Sequence, residues 1–410
     1  MLGDVYWQSG RTAHRTSPWG SVAADVVIVG AGIGGLATAW HLAERGIRSL
    51  IVEARTIASG ASGRNGGFLI AGPAPMYNDA RELFGRDLAR RIQMATLAAQ
   101  QEVYGVADAI EAADCFRRVG MLRLAVDADE AEHVRAHVGA LAEDGFPGRL
   151  VEHDDLPQAL RRPGRLGLMT DHDGSVHPVR WLTALAGALV DRDVTIVEGV
   201  RVTRPIGTRT DGQLADVDTT HGTVRARAVV VAADGGLGGL VPEFAERVRA
   251  RRLHMVATAP LASVHVAHPV SARYGYEYHQ QLPDGRVVLG GFSDLDGIAS
   301  YTEREQANPV VHDRLADYLC DDLGIDAPIT HRWVGIVGYT DDRRPYIGAV
   351  PDHPGLYVMG GYCGTGNLTA WVGGRIVADL IATGSSADAD MFDPSRQVRR
   401  GGRLDADDDD

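Results

Sequence analysis

The chain has 410 residues, of which 45% are hydrophobic and 23% charged, as expected for a globular protein of about two domains. Its net charge of −13 disfavours nucleic-acid binding, and no apolar run of roughly 18 residues predicts a membrane span. Three cysteines form no disulfide framework and favour a reducing, cytoplasmic location. All 41 basic residues are arginine, which excludes a Schiff base or a lysine general base.

Residues 25–53 predict a nucleotide-binding βαβ unit. An apolar strand at 25–29 precedes a helix that ends near Gly46, and a second strand at 49–53 ends on Glu53. The turn between strand and helix carries the glycine pattern of dinucleotide sites, at Gly30, Gly32 and Gly35. These glycines permit a tight turn, close approach of a pyrophosphate and close helix packing. Glu53 is expected to accept hydrogen bonds from ribose hydroxyls and to disfavour NADP.

The remaining chain alternates between predicted helices, strands and loops. Helices are expected at 78–113, 129–144, 178–190, 308–323 and 368–382. Buried or paired strands are expected at 119–126, 194–198, 228–235 and 356–359, and residues 250–300 alternate as in an antiparallel sheet. Segments 200–204 and 214–219 bracket a polar turn at 210–212, as in a hairpin. Two glycine-rich loops lie at 60–67 and 360–366.

These elements predict an α/β fold with a discontinuous Rossmann-like nucleotide-binding domain and an α+β substrate domain with a mostly antiparallel sheet. We assign residues 1–78, 152–248 and 332–385 to the nucleotide-binding domain. Residues 79–151 and 249–331 form the predicted substrate domain. The small, charged composition of 386–410 predicts a disordered acidic tail.

Three motifs resemble the D-amino-acid oxidase and glycine oxidase superfamily of FAD enzymes, over residues 25–381. The loop Gly-Ala-Ser-Gly-Arg-Asn-Gly-Gly at 60–67 is similar to the signature of the γ-glutamylputrescine oxidase branch. Tyr-Cys-Gly-Thr-Gly at 362–366 is similar to the Tyr-Ser-Gly-His-Gly of that branch, and residues 342–348 resemble the family's Asp-x-x-Pro-x-Ile-Gly. The resemblance implies a nucleotide domain of the glutathione-reductase type, bound FAD and oxidation of a carbon–nitrogen bond.

The resemblance also implies which residues hold FAD. The first glycine loop is expected beside the isoalloxazine ring and the second at its pyrimidine edge, where the positive end of the following helix would stabilise reduced flavin. The full set of expected contacts is Gly30, Gly32, Ile33, Gly34, Gly35, Glu53, Ala54, Arg55, Ser62, Gly63, Arg64, Asn65, Gly66, Gly67, Val202, Ala233, Gly361, Tyr362, Cys363, Gly364, Thr365, Gly366 and Asn367.

Departures from the relatives bear on flavin attachment. Relatives with covalent flavin carry a cysteine before the Asp-x-x-Pro motif, and residues 335–340 contain none, so FAD is expected to be noncovalent. Cys363 is expected to pack as a small apolar residue, with a flavin adduct or a redox role as the alternative. Sarcosine-oxidase-like relatives use a lysine to promote reaction with oxygen, and none is available here.

Departures also bear on the substrate pocket. Val337 stands where glycine oxidase-like sequences carry a carboxylate-binding arginine, and Gln280 stands where the γ-glutamylputrescine oxidase branch often has an arginine. Strand alternation puts Tyr274, Tyr276 and Tyr278 on one face, as an aromatic wall or as ordinary sheet packing, and puts His279 on the other. The predicted catalytic residues are Arg64, Tyr278, His279 and Arg332, with a sheet-edge salt bridge as the alternative role of Arg332. His172 and His177 are expected to be structural, and no metal site is predicted.

The leading hypothesis is an FAD-dependent amine or amino-acid oxidase with a small amine and molecular oxygen as partners. A hydride would pass from the carbon next to nitrogen to flavin N5, giving an imine, then a carbonyl and an amine, with hydrogen peroxide. The missing arginine favours a substituted or secondary amine, such as an N-substituted glycine or a γ-glutamyl-type amine. Alternatives are a dehydrogenase with a quinone or protein acceptor, a flavin monooxygenase and a non-catalytic flavin-binding scaffold. The oligomeric state is left open.

Overall fold

The computed structural model describes residues 4–10, 24–206 and 215–398. Its α-helices are α1 (Ile33–Glu44), α2 (Tyr77–Phe84), α3 (Arg86–Ala109), α4 (Ala128–Glu143), α5 (Pro178–Val190), α6 (Leu237–Leu240), α7 (Pro309–Asp317) and α8 (Gly366–Thr383). Its strands are β1 (Val26–Val29), β2 (Ser49–Glu53), β3 (Phe68–Leu69), β4 (Phe116–Arg117), β5 (Met121–Ala125), β6 (Arg149–Val151), β7 (Leu166–Thr170), β8 (Gly174–Val176), β9 (Thr195–Glu198), β10 (Ala215–Thr219), β11 (Gly222–Ala226), β12 (Ala228–Val231), β13 (Arg249–Thr258), β14 (Val270–Ala272), β15 (Glu277–Gln281), β16 (Val287–Gly291), β17 (Ile329–Tyr339), β18 (Tyr346–Ala349) and β19 (Leu356–Gly360).

A six-stranded sheet in the order β18-β19-β12-β1-β2-β9 gathers strands from distant parts of the chain. Its pairs are parallel except β18 with β19. All four residues of β1 are buried, because the sheet is covered on both faces. Helices α1 and α8 pack against each other beside it. This is the predicted Rossmann-like arrangement, with β1 next to the central glycine turn.

A second, eight-stranded sheet has the order β17-β13-β16-β15-β14-β5-β7-β6. Only its β14–β5 pair is parallel, so the prediction of a mostly antiparallel second sheet is confirmed. Both β7 and β17 pair within it, although the predicted boundaries assign residues 152–248 and 332–385 to the nucleotide-binding part. The long strand β17 carries the chain back from this sheet to the six-stranded one, so sheet membership changes only after Tyr339.

Several local predictions need correction. The expected hairpin partner of residues 214–219 is not 200–204: β10 pairs with β11, and Val202 makes a single bridge to Thr219. The predicted turn at 210–212 lies outside the described residues. The helix expected at 78–113 is broken at Gly85, whose φ of +84° suits glycine, and the helix expected at 308–323 ends in a π-helical turn over Tyr318–Asp322.

The segment 386–398 is ordered, contrary to the predicted disorder. It contains a short 3₁₀ helix, Ala389–Phe392, in which Met391 and Phe392 are almost fully buried. The guanidinium of Arg396 donates hydrogen bonds to the carboxylate of Asp342. Two buried apolar residues and several ion pairs therefore fix a segment whose overall composition suggests disorder. Residues 399–410 lie outside the described part, and none of the described helices is long and apolar enough to cross a bilayer.

Candidate active site

A cavity of about 810 Å³ lies where the two sheets meet. One wall comes from the start of α1 and from the two glycine-rich loops, at Gly32–Gly34, at residues 61, 62, 64–66 and 68, and at residues 362–367. The opposite wall comes from the eight-stranded sheet, through residues of β13, β15 and β17. Segments from both ends of the chain therefore meet at one space.

The glycines at the start of α1 are required by their surroundings. Gly30 has a φ of +106°, and a Cβ there would lie 2.6 Å from the carbonyl oxygen of Ala232. A Cβ on Gly35 would overlap the carbonyl oxygen of Gly30. Gly32 caps the helix without a side-chain hydrogen bond, and the Ile33 amide donates to the Ser62 hydroxyl at 3.0 Å. The tight turn and the close helix packing thus have the form expected of a phosphate-binding turn.

The carboxylate of Glu53 is held at the end of β2. It accepts hydrogen bonds from the amides of Ala31 and Arg55, each at 2.8 Å. A carboxylate oxygen has two acceptor positions, so both oxygens can still receive a ribose hydroxyl. The amide of Val200 donates to the Glu53 carbonyl, which brings the segment leading to Val202 to the same edge.

Some of the predicted FAD contacts do not line the cavity. Contact of these residues with FAD stays a prediction: Gly30, Gly35, Glu53, Ala54, Arg55, Gly63, Gly67, Val202, Ala233 and Gly361. The others line it directly: Gly32, Ile33, Gly34, Ser62, Arg64, Asn65, Gly66, Tyr362, Cys363, Gly364, Thr365, Gly366 and Asn367.

The first glycine loop is fixed by side chains from other elements. The amide of Gln280 on β15 donates to the carbonyl oxygens of Gly66 and Gly67. Asn65 accepts from the Gly67 amide at 2.8 Å, and the Trp7 indole donates to the Asn65 carbonyl at 2.8 Å. Gln280, noted in the sequence only as a replaced arginine, therefore holds the loop that lines the cavity.

The second glycine loop is fixed by Asp234, which sequence reasoning missed. Its buried carboxylate accepts from the amides of Gly338 and Gly361, each at 3.0 Å, and from the amide of Tyr362 at 3.4 Å. Burial raises the pKa of Asp234 above its ordinary value, against the effect of these backbone hydrogen bonds. The Asn367 amide donates to the Phe68 carbonyl at 2.7 Å, so the two glycine loops are tied together.

Tyr362 and Cys363 show how this loop suits a dinucleotide. The Tyr362 hydroxyl is buried, has no hydrogen-bond partner among the described residues and lies 3.0 Å from where a Cβ of Gly34 would stand. An unsatisfied buried hydroxyl facing the glycine turn fits a polar group of a bound cofactor. Cys363 has a φ of +50°, and its sulfur is close to the Thr340 amide. Burial raises the pKa of its thiol to about 11, which disfavours the thiolate that an adduct requires. The donor set therefore fits noncovalent FAD.

Arg64 lines the cavity, but its charge is compensated. It forms an ion pair with Glu305 at 2.6 Å and donates to the Val334 carbonyl at 3.2 Å. Glu305 also accepts from Arg55 at 2.7 Å. Burial acts to raise the pKa of Glu305, yet the hydrogen bonds from Arg55 and Arg64 outweigh it and lower that pKa. Arg64 is therefore a fixed wall residue between the first loop and β17.

The predicted tyrosine wall exists, with a different local structure. Tyr278 lies on β15, opposite Ser271 and Gly290, and a side chain at Gly290 would overlap its ring. Tyr274 and Tyr276 also line the cavity, but not from a strand. Tyr274 lies in the 3₁₀ turn Arg273–Gly275 with a φ of +55°, so strand alternation does not relate the three rings.

His279 and Arg332 are absent from the cavity lining, against the prediction of catalytic roles. His279 faces the opposite side of β15, is buried, and has its pKa lowered by that burial to about 3. On β17, Gly335 and Val337 line the cavity. Arg332 is three residues from Gly335 and five from Val337, and side chains an odd number of residues apart on a strand face opposite sides, so Arg332 points to the other face. The pKa of His312 is lowered mainly by burial and, to a lesser extent, by the nearby positive charge of Arg332.

Arg251 on β13 is the main cavity residue that sequence reasoning did not single out. It is 7% exposed, lies opposite Val337 in register and lines the cavity with Tyr339. Arg123 and the buried Ser271 contribute to the far end of the same wall. A charged residue inside a long alternating strand is the available signal, because such a charge has to face a polar cavity or a partner.

Comparisons with known proteins agree with this geometry. A family model described as "DAO: FAD dependent oxidoreductase" matches residues 25–380. The probable oxidoreductase OrdL of Rhizobium meliloti is 30% identical over 390 residues, covering 91% of this chain and 86% of that protein. The gamma-glutamylputrescine oxidoreductase of Escherichia coli is 26% identical, covering 91% and 86%. The crystal structure of glycine oxidase from Geobacillus kaustophilus superposes with a TM-score of 0.75 at 24% identity, covering 92% of this chain and 99% of that one.

Proposed function

The chain belongs to the DAO family of FAD-dependent oxidoreductases, which act on amines and amino acids, and from that premise we propose that it is an oxidase of a substituted or secondary amine. The oxidised bond joins nitrogen to the adjacent carbon. N-substituted glycines and γ-glutamyl-type amines are the substrate classes to test first, because the similar proteins include a glycine oxidase and a gamma-glutamylputrescine oxidoreductase.

The observation that carries the proposal is the shared cavity. Both glycine-rich loops, the start of α1 and the tyrosines of the eight-stranded sheet all border it. When bound, FAD supplies the hydride acceptor and, on reoxidation by oxygen, hydrogen peroxide. Gly32, Tyr362 and Asn65 are suited to hold this cofactor noncovalently, and Cys363 as a protonated thiol is suited to pack against it.

The chain itself provides binding and orientation. The tyrosines and Leu253 give the substrate an apolar wall that excludes water, while Ser271 offers a hydroxyl without a hydrogen-bond partner. Burial raises the pKa of Tyr278, so its phenol stays protonated and can donate a hydrogen bond. No pair of side chains in the cavity is arranged for nucleophilic catalysis, in keeping with chemistry supplied by a cofactor.

The test is a panel of amines in air, assayed for peroxide and for oxygen uptake. The panel contains N-substituted glycines, γ-glutamyl amines, free amino acids and simple secondary amines. We expect peroxide equal to the amine consumed for at least one member. A folded protein loaded with FAD that produces no peroxide with any of them contradicts the oxidase proposal.

A dehydrogenase with a non-oxygen acceptor is the second candidate. The chain has no lysine, Arg64 is paired with Glu305, and His279 faces away from the cavity, so none of these side chains offers an uncompensated cation that could take the place of the relatives' lysine. Reduction of an artificial dye by amine without peroxide in air favours this candidate. NADPH consumption would instead favour the monooxygenase alternative.

A further inference from the structure

A histidine and two glutamates from different helices converge outside the cavity. His41 and Glu44 lie in the last turn of α1, and Glu102 lies on α3. The Nδ1 atom of His41 is 3.0 Å from Oε2 of Glu44 and 3.8 Å from Oε1 of Glu102. The three potential ligand atoms lie within 4.8 Å of one another, and none of the three residues lines the cavity. The side chains therefore form a separate cluster.

The imidazole of His41 depends on this cluster for its polar contacts. It is 1% exposed, and its Nε2 is buried without a hydrogen-bond partner among the described residues. In the same part of the chain, its Nδ1 contacts the two glutamate carboxylates and no other polar group. The ring of Trp371 lies 5.2 Å away at an angle of 71° and offers only an aromatic surface. A buried imidazole nitrogen aimed at two carboxylates suits a shared cation, because all three groups can offer lone pairs.

The electrostatic surroundings of the cluster favour a positive ion. The guanidinium of Arg375 is 3.9 Å from the carboxylate of Glu102 and is shared with Asp388, which lies closer at 3.4 Å. The guanidinium of Arg45, next to the cluster in sequence, is engaged by Asp379. The carboxyl end of α1 adds the partial negative charge of its backbone, which favours cations. The two glutamate carboxylates are thus only weakly compensated by the arginines around them.

We propose that His41, Glu44 and Glu102 bind a divalent transition-metal ion, and that Zn²⁺ is the ion this ligand set suits. Zn²⁺ takes imidazole nitrogen and carboxylate oxygen at roughly 2.0–2.2 Å, which places the ligands of a tetrahedral site about 3.4 Å apart. The separations of 3.0 and 3.8 Å lie on either side of that value. A histidine and a glutamate three residues apart on a helix face the same side and can reach one ion. The glutamates are 45% and 32% exposed, so water can take the fourth position.

Neighbouring groups orient the ligands, and the ion has a structural consequence. The indole of Trp40 donates to Oε1 of Glu44 at 3.0 Å, which leaves Oε2 for the metal. Binding on Nδ1 of His41 places the imidazole proton on Nε2, because the ligating nitrogen must be deprotonated. Helices α1 and α3 both pack against α8, so the ion links two helices and stabilises the folded chain. The sequence predicted no metal site because Glu102 joins the other two residues only in the fold.

The test is a calorimetric titration of the FAD-loaded protein with ZnCl₂ after metals have been removed with EDTA. We expect one tightly bound Zn²⁺ per chain and a rise in melting temperature when Zn²⁺ is added. Glu102→Gln and Glu44→Gln each remove one anionic ligand, so each should weaken Zn²⁺ binding at least about tenfold and abolish that rise. Both side chains are partly exposed, and without metal the two variants should melt at the temperature of EDTA-treated wild type.

Glu243→Gln is the matched control. It removes the carboxylate of another histidine–glutamate pair, in which Nε2 of His353 is 2.7 Å from Oε1 of Glu243, and it should bind Zn²⁺ as wild type does. Equal Zn²⁺ affinity of wild type and both cluster variants would show an adventitious ion only and overturn the proposal. Absence of a tightly bound Zn²⁺ in wild type would overturn it as well. The readout is metal affinity, so the result is independent of whether the protein oxidises amines.

Discussion

Replacing Asp234 tests how the second glycine loop is held against the eight-stranded sheet. The carboxylate accepts from Gly338 and Gly361 at 3.0 Å each, and more weakly from Tyr362 at 3.4 Å. A hydrogen bond to a charged group contributes about 1.5–3 kcal/mol, so the two short bonds together give about 3–6 kcal/mol. Burial raises the pKa of Asp234, so desolvation offsets part of this gain and the lower end applies.

We expect Asp234→Ala to lower the free energy of unfolding by about 3 kcal/mol. The φ of +46° at this residue, which alanine tolerates poorly, adds a further loss to that of the hydrogen bonds. Asp234→Asn separates the two effects, because asparagine accepts that conformation and keeps one acceptor oxygen. It should lose about 1.5 kcal/mol, the value of one such hydrogen bond. Both variants should bind FAD more weakly, since the loop carrying Tyr362 lines the cavity.

The assay is urea unfolding of the apoprotein, followed by FAD titration of the folded variants. Asp171→Ala is the matched control, because its side chain is 74% exposed and its one ion pair in the described part of the chain is with Arg149 at 3.5 Å. That control should change stability by less than about 0.5 kcal/mol. Asp234→Ala as stable as Asp171→Ala, with unchanged FAD affinity, would refute the assignment.

Four further predictions address other parts of the site. His279→Asn should keep turnover within about twofold, because His279 faces away from the cavity; a complete loss of turnover would restore its catalytic role. Burial lowers the pKa values of His279 to about 3 and His254 to about 4, so below about pH 6.5 the unfolded state binds more protons and stability falls. When the pH is lowered from about 7 to 5, the free energy of unfolding of His279→Asn, measured in urea, should therefore fall by about 2 kcal/mol less than that of wild type. An identical pH dependence of the two proteins would contradict a buried neutral histidine. Acid precipitation should release FAD from wild type and from Cys363→Ser alike, whereas a yellow wild-type pellet would indicate a covalent bond. Gln280→Leu should weaken FAD binding about tenfold, because Gly66 and Gly67 lose the hydrogen bonds from the Gln280 amide. Gln281→Leu should not, because the amide of Gln281 donates to Ser263 and Gly285 instead. Equal FAD affinities of the two variants would argue against the role of Gln280 in holding the first glycine loop.

Local sequence was enough to predict the nucleotide-binding unit. The strand, the glycines and Glu53 lie within about thirty residues and follow one another in the order of the known pattern. The second glycine loop was also evident, because glycines before a helix are a local pattern. The hydrogen bonds that fix it were not, since Asp234 reaches partners 104 and 127 residues away. In the sequence, Asp234 merely follows a buried strand, and that position does not indicate which residues it binds.

The substrate wall was harder to predict because it depends on which face of the sheet meets the cavity. Arg332 and Arg251 are both arginines on long strands, and only the register of β13 with β17 separates their faces. Tyr274 and Tyr276 reach the cavity through a turn that breaks the strand alternation. The composition of residues 386–398 predicted disorder, which is wrong because this polar segment is held by the burial of Met391 and Phe392.

Anaerobic mixing of the FAD-loaded protein with amines tests the central claim most directly, because it isolates electron transfer from reaction with oxygen. The account predicts that at least one amine bleaches the oxidised flavin band, with one amine consumed per flavin. A folded, yellow protein whose flavin stays oxidised with every amine offered would contradict it.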